Sequence, residues 1–210
     1  MQHRIERIEQ PLLDRIINCA LKEFGTHGYE RASYNNILNE AGISKGRFYQ
    51  YVKSKQELYN YLIDSVTEKF IRDMNNSVFV EETDIIKRIK MLMDVTLNIY
   101  LKHPYSYMFF DVIKNDIEMA NKIRAKYQKL KEDIKYKNID TDMFINKSNI
   151  EEKVNIIFFS LSSIVEKYVR HCDYDIDKIN KQELSGEIDK YVKLFRQLYY
   201  KKYEEGKYDL

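Results

Sequence analysis

The sequence predicts an all-α fold. Three observations carry it. Only 6 Gly and 2 Pro occur in 210 residues, too few for the many tight turns of a β protein. Apolar residues recur at three- and four-residue spacing over long stretches. Helix-start signals precede several of those stretches, with Ser or Asn followed three residues later by Glu.

Taken in order, Leu13, Ile16, Ile17, Ala20, Leu21 and Phe24 predict a first helix from about Leu12 to Phe24. Gly25 and Gly28 end it, with Gly28 as a left-handed cap. Ser33 caps a second helix through Ala41, its inner face formed by Ile37, Leu38 and Ala41. Ser54-Lys55-Gln56-Glu57 is a capping box, so another helix starts at Lys55 and continues through Phe70. Asp84 caps a strongly apolar, buried helix to Leu101, which His103-Pro104 stops. Tyr105 to Lys114 is a short aromatic helix, and Ile117 to Ile134 a more charged one. Tyr136 to Lys147 is a polar connection. Ser148-Asn149-Ile150-Glu151 opens a helix to Arg170. Asn180-Lys181-Gln182-Glu183 opens a last one to about Tyr203.

Composition narrows the classes. Hydrophobic residues make up 44% and charged residues 32% of the chain, the balance of a globular chain and not of a disordered one. Net charge is only +2, so a nucleic-acid surface must be a local patch. Met1-Gln2-His3-Arg4 lacks the apolar core of a signal peptide. The run from Val154 to Val169 is broken by Asn155, three serines, Glu166 and Lys167, and is too short and polar to span a bilayer. A reduced, cytoplasmic protein with no membrane partner is expected. Cys19 and Cys172 form no disulfide framework. Cys19 reads as a small core residue.

The stretch from Ala41 to Lys55 carries the chemistry. Gly42 supplies the backbone freedom of a tight interhelical turn. Ser44 caps a short helix bearing Lys45, Gly46, Arg47, Tyr49, Gln50 and Tyr51. Lys45, Arg47, Lys53 and Lys55 cluster with no acid before Glu57. A merely solvated face carries both signs. A short basic, aromatic, amide-bearing helix suits the major groove of DNA, and Gly46 permits close approach. Lys55, at a helix N-terminus, suits a phosphate.

Phe24, Gly28-Tyr29, Ser33, Ile37, Ala41-Gly42-Ile43-Ser44-Lys45-Gly46, Tyr49, Tyr51, Lys53-Ser54-Lys55 and Leu58 together resemble the N-terminal module of the TetR family of transcriptional regulators. The resemblance covers roughly Ile16 to Leu62; beyond it, only helix count and order are similar. It implies a three-helix DNA-binding module, residues 1–54, joined to a helical dimerisation and ligand-binding core, residues 55–210. It assigns Tyr49 and Lys55 to phosphates and puts Arg47 where the family varies, which fits base reading; Arg suits guanine. Gln50 stands where the family often has His, and Phe48 where it often has Leu, the latter as a core exchange. The expected DNA-binding set is Ser33, Ser44, Lys45, Gly46, Arg47, Tyr49, Gln50, Tyr51 and Lys55.

Two further sets have alternative readings. Phe158, Leu161, Ser162 and Val165, with Gly186, Tyr191 and Phe195, line the last two helices. They are either an intramolecular core or, as the resemblance implies, a homodimer interface. A mid-helix Gly costs about 1 kcal/mol relative to Ala, so Gly186 argues for close packing. Met93, Tyr100, Tyr105, Tyr107, Met108, Phe109, Phe110 and Phe158 are either core filler or a pocket for an apolar or aromatic effector.

Catalytic and metal readings fail. His3, His27, His103 and His171 are dispersed, without ligand spacing. Asp173-Tyr174-Asp175-Ile176-Asp177 imitates a calcium loop, but Lys178 holds the required Gly position and Leu184 that of the bidentate Glu. No phosphate-cradling Gly-rich loop or nucleophile elbow is present. The expectation is a non-enzymatic, cofactor-free, ligand-responsive repressor that binds double-stranded palindromic DNA as a homodimer. The competing expectation is a structural or partner-recruiting DNA-binding protein without a small effector.

Overall fold

The computed structural model describes residues 4–77, 81–113 and 117–201. Its helices are α1 (Gln10–Arg31), α2 (Tyr34–Ala41), α3 (Lys45–Phe48), α4 (Lys55–Ser77), α5 (Ile85–Lys102), α6 (Pro104–Ile113), α7 (Ile117–Tyr136), α8 (Ile150–His171) and α9 (Lys181–Tyr199). Short 3-10 turns occupy Arg4–Arg7, Thr141–Met143 and Ile176–Lys178. The fold is all-α, as the Gly and Pro scarcity predicts. The expected positions of Met1 to His3, Lys114 and Tyr203 lie outside the described residues.

Most helix starts follow the cap chemistry read from the sequence. The Ser33, Ser44 and Ser54 hydroxyls accept from the main-chain N–H groups of Asn36, Arg47 and Glu57. Asp84 accepts from Ile86 and Lys87 at α5, and Asn180 from Gln182 and Glu183 at α9. Two expectations need correction. The Ser148 box does not form: Asn149, at φ 54°, precedes α8 and makes no side-chain cap bond. Gly25 does not end α1. That helix runs on to Arg31 and breaks only at Gly28, whose φ 70° and ψ 171° are not the left-handed cap expected.

The chain forms two compact units, one of residues 1–72 and 102–127, the other of residues 73–101 and 128–210. In the first, α6 packs along α1. A Cβ on Gly25 would stand 3.0 Å from the Met108 Cβ and 3.2 Å from the Phe109 nitrogen. Glycine here is what lets the two backbones approach. Phe109 is fully buried and packs edge-on to Tyr59 at 5.3 Å, with Phe24 at 6.3 Å. Burying such a ring contributes about 1.5–3 kcal/mol.

In the second unit, the buried Asp84 carboxylate gathers donors from both ends of the sequence segment. It accepts from Arg196 Nη2 at 2.6 Å and from the Tyr200 hydroxyl at 2.8 Å. Arg88, also buried, donates to the carbonyls of Ile134 at 3.1 Å and Lys137 at 2.7 Å. Phe144, inside the expected polar connection, is fully buried and packs edge-on to Tyr200. Among the described residues no helix is long and apolar enough to cross a membrane.

Candidate nucleic-acid interface

The first unit presents one exposed surface built by α2, α3 and the start of α4. Ser33 caps α2, whose apolar face of Ile37, Leu38 and Ala41 is buried. Gly42, at φ 71° and ψ 32°, turns the chain through the left-handed region, which glycine adopts without steric cost. Ile43 is buried, and Ser44 starts α3.

α3 is held from beneath by aromatic packing. Phe48 is fully buried, as a core exchange for an aliphatic residue requires. Tyr34 lies 5.8 Å from its ring and 5.7 Å from that of Tyr49. The Tyr34 hydroxyl donates to the Val52 carbonyl at 3.4 Å. Burial, then the neighbouring Tyr49 and Glu57, hold its phenol well above the ordinary tyrosine range, so it stays a donor. Sequence reading missed Tyr34, which sits beside the cap Ser33 with nothing in its spacing to mark it as a prop.

Burying Phe48 turns Lys45, Gly46, Arg47 and Gln50 to solvent, with Ser44 and Lys53 beside them. Tyr49 and Tyr51 are half-buried at its edge. The Lys45 ammonium lies 5.8 Å from the Tyr49 ring centre. Lys53 donates to the Tyr49 carbonyl at 2.6 Å, while its main-chain N–H donates to Glu57. α3 ends at Phe48, so Tyr49, Gln50 and Tyr51, expected on the helix, lie in the turn that follows it. The exposed face of α3 carries two cations and no carboxylate, with the Gln50 amide beside it. A Cβ on Gly46 would meet nothing within 4 Å, which leaves backbone open to a ligand surface.

Ser33 and Lys55 are placed differently from the rest. The Ser33 N–H donates to Glu23 Oε1 at 2.7 Å, and its hydroxyl is used as a cap. Lys55, expected at a phosphate, donates instead to the carbonyls of Tyr29 at 2.7 Å, Glu30 at 3.2 Å and Ala32 at 3.2 Å. Its ammonium also lies 4.6 Å from the Tyr29 ring centre.

The expected homodimer residues divide. Leu161, Val165 and Phe195 are buried within their own unit, a correction to their assignment as interface. Phe158 and Ser162 are half-buried, while Tyr191 and Gly186 are exposed. Helical spacing identifies an apolar stripe but not which of two neighbouring stripes faces its own chain. The outward stripe is Ile156 and Phe159 on α8, with Tyr191, Leu194 and Leu198 on α9; Phe159 and Leu198 are each 55% exposed. A Cβ on Gly186 would meet nothing within 4 Å.

The expected effector residues are also distributed. Phe109 fills the aromatic core of the first unit, Met108 faces Gly25, and Phe110 packs 5.6 Å from Phe70. Tyr107 is half-buried and Tyr105 exposed. Met93, Tyr100 and Phe158 belong to the second unit. Met93 and Tyr100 are buried there, and Phe158 lies 4.2 Å beneath the Lys135 ammonium. Among the described residues no group of three or more His, Cys, Asp or Glu is placed to hold a metal ion.

Comparison with known proteins bears on the same surface. Residues 16–62 match the sequence model of bacterial regulatory proteins of the tetR family. The HTH-type transcriptional regulator YdgC of Bacillus subtilis (strain 168) is 21% identical over 149 residues, which cover 69% of this chain and 67% of YdgC. The nucleoid occlusion factor SlmA of Shewanella sediminis (strain HAW-EB3) is 25% identical over 91 residues, 43% of this chain and 46% of SlmA. The match thus spans about half of SlmA's length. In fold, the chain is similar to a TetR family transcriptional regulator from Chloroflexus aurantiacus J-10-FL, with a TM-score of 0.73 and 17% identity, covering 94% of this chain and 97% of that one.

Proposed function

We propose that this chain, whose residues 16–62 match the tetR family model and whose fold is similar to that of a TetR family transcriptional regulator, is a homodimeric, ligand-responsive repressor of palindromic operators. One observation carries the DNA-binding half of this reading. A capped helix, propped by the buried Phe48, turns an exposed face free of carboxylates to solvent. Ser44, Lys45, Gly46 and Arg47 form that face, with Gln50 in the following turn and Tyr49 and Tyr51 at its margin; Lys53 lies beyond, where its main-chain N–H holds the Glu57 carboxylate. Residues 1–54 are the reading module, and residues 55–210 serve dimerisation and effector response. The cation-rich face meets the phosphate backbone, and Arg47 reads a base edge in the major groove.

A single short helix is too small to specify a site alone, so two copies are required. The exposed stripe of Ile156, Phe159, Tyr191, Leu194 and Leu198 is the surface we assign to the second copy. Exposed Gly186 then serves close approach of the partner backbone. An apolar or aromatic effector, binding in the 55–210 region, must prefer the dimer geometry that does not fit DNA, or it shifts nothing.

A second reading is a structural or partner-recruiting DNA-binding protein of the same fold without a small effector; that one relative is named a nucleoid occlusion factor keeps it in play. One experiment separates the two. A ligand screen by thermal shift is followed by DNA titration with each hit, beside a genome-wide map of bound DNA. Few sites upstream of genes, with operator affinity lowered by a stabilising ligand, are expected. Many dispersed sites, and ligands that leave DNA affinity unchanged, transfer the case to partner recruitment.

A further inference from the structure

The main-chain ladder is broken where α1 gives way to α2, and the break leaves both kinds of polar group to be satisfied. Gly28, at φ 70° and ψ 171°, interrupts the helix. In an unbroken helix the Tyr29 carbonyl would take the N–H of Ser33, and the Ala32 carbonyl that of Asn36. Here Ser33 N–H goes to the Glu23 carboxylate, and Asn36 N–H to the Ser33 hydroxyl. The orphaned carbonyls of Tyr29 and Ala32, with that of Glu30 between them, all point at one donor, the Lys55 ammonium. An ammonium has three hydrogens and no acceptor. Three carbonyls at hydrogen-bond distance use all of them. The Tyr29 ring, 4.6 Å away, adds a cation–π contact. Glu23 and Lys55 thus close the two sides of the same corner.

Lys55 is also the first residue of α4. Its side chain ties the start of α4 to the end of α1, and α2 and α3 are the chain between those two points. A helix positioned for a groove must be held to within a fraction of an ångström by its supports. We propose that Lys55 is a positioning residue for DNA reading: it fixes the α1–α2 corner against α4 and thereby sets the stance of α3, and its charge is spent on carbonyls and not on a phosphate. The inference rests on the DNA-binding reading above.

The test uses the full-length protein, a selected operator and random duplex DNA, titrated across a salt series. The Lys55→Met variant should lower the melting temperature of the free protein. It should lose about tenfold or more on the operator, the scale of one charge-assisted hydrogen bond. The preference for operator over random DNA should fall, and the log–log salt slope should stay at the wild-type value. The Lys45→Met variant, on the exposed face, is the contrast: its slope should shrink. A Lys55→Met slope smaller by about 1.8, two phosphates per dimer at about 0.9 each, with equal loss on operator and random DNA, overturns the proposal. Should Lys55→Met fail to fold, a crystal structure of the wild-type protein on its operator decides. The Lys55 nitrogen remains within hydrogen-bond distance of the Tyr29, Glu30 and Ala32 oxygens if the proposal holds, and lies on a phosphate if it does not. Absence of any DNA binding by the wild-type protein is a separate result, and refutes the functional reading itself.

Discussion

Arg47 is the residue on which base preference should depend. It lies on the exposed face of α3, and its own N–H is used by the Ser44 cap, so the side chain is not needed to start the helix. Arg47→Ala should therefore leave the melting temperature near that of the wild type. It should cost about 1–3 kcal/mol per half-site at the preferred base and relax preference there alone. Binding to a panel of single-base operator variants checks this; uniform weakening across the panel would make Arg47 a phosphate contact. At this scale the sequence was readable at most positions whose chemistry is local, the Ser148 box and Gly28 excepted. Ser33, Ser44, Gly42 and the Ser54–Glu57 pair have roles set by neighbours three or four positions away. Gly25 was not readable: its partner Met108 is far along the chain, and only the fold brings their backbones together. The carbonyl contacts of Lys55 were unreadable for the same reason. Its position at a helix start suits an anion, but the orphaned carbonyls that take its hydrogens lie on another element.

Among the elements, the start of α5 and the end of α9 are joined by the buried Asp84–Arg196 pair, with Tyr200 as a third member. A buried carboxylate stripped of its cation is expensive. Arg196→Met should cost about 3–5 kcal/mol in chemical denaturation; a loss under 1 kcal/mol would show that the Tyr200 hydroxyl and the two main-chain donors at α5 suffice. The outward faces of α8 and α9 make the opposite prediction. Leu194→Glu combined with Phe159→Glu should leave the fold intact by circular dichroism, because both side chains are exposed. It should convert a dimer to a monomer in sedimentation and weaken operator binding steeply. A dimer that survives both charges places the interface elsewhere. Periodicity found both helices and their apolar character. It could not separate Leu161 and Val165, which face inward, from Ile156 and Phe159, which face outward, because a wide apolar arc covers both stripes.

For the whole molecule, fold class was legible because it rests on composition and repeated helix signals, which tolerate errors at single residues. The division into compact units was not, since residues 102–127 join residues 1–72 across a long gap in sequence. Helices α4 and α7 each contribute residues to both units; on the proposed reading, effector binding and DNA binding are coupled. Such coupling is typically about 1–3 kcal/mol, and DNA must weaken effector binding by the same factor. The central claim is that two copies of the α3 face read a twofold site. Selection of bound duplexes from a random pool, with the wild-type protein at moderate salt, tests it most directly. The account predicts enrichment of an inverted repeat whose half-site centres lie about one helical turn apart, roughly 34–36 Å, or a multiple of it. Enrichment of single asymmetric half-sites, or of no sequence at all, would contradict it.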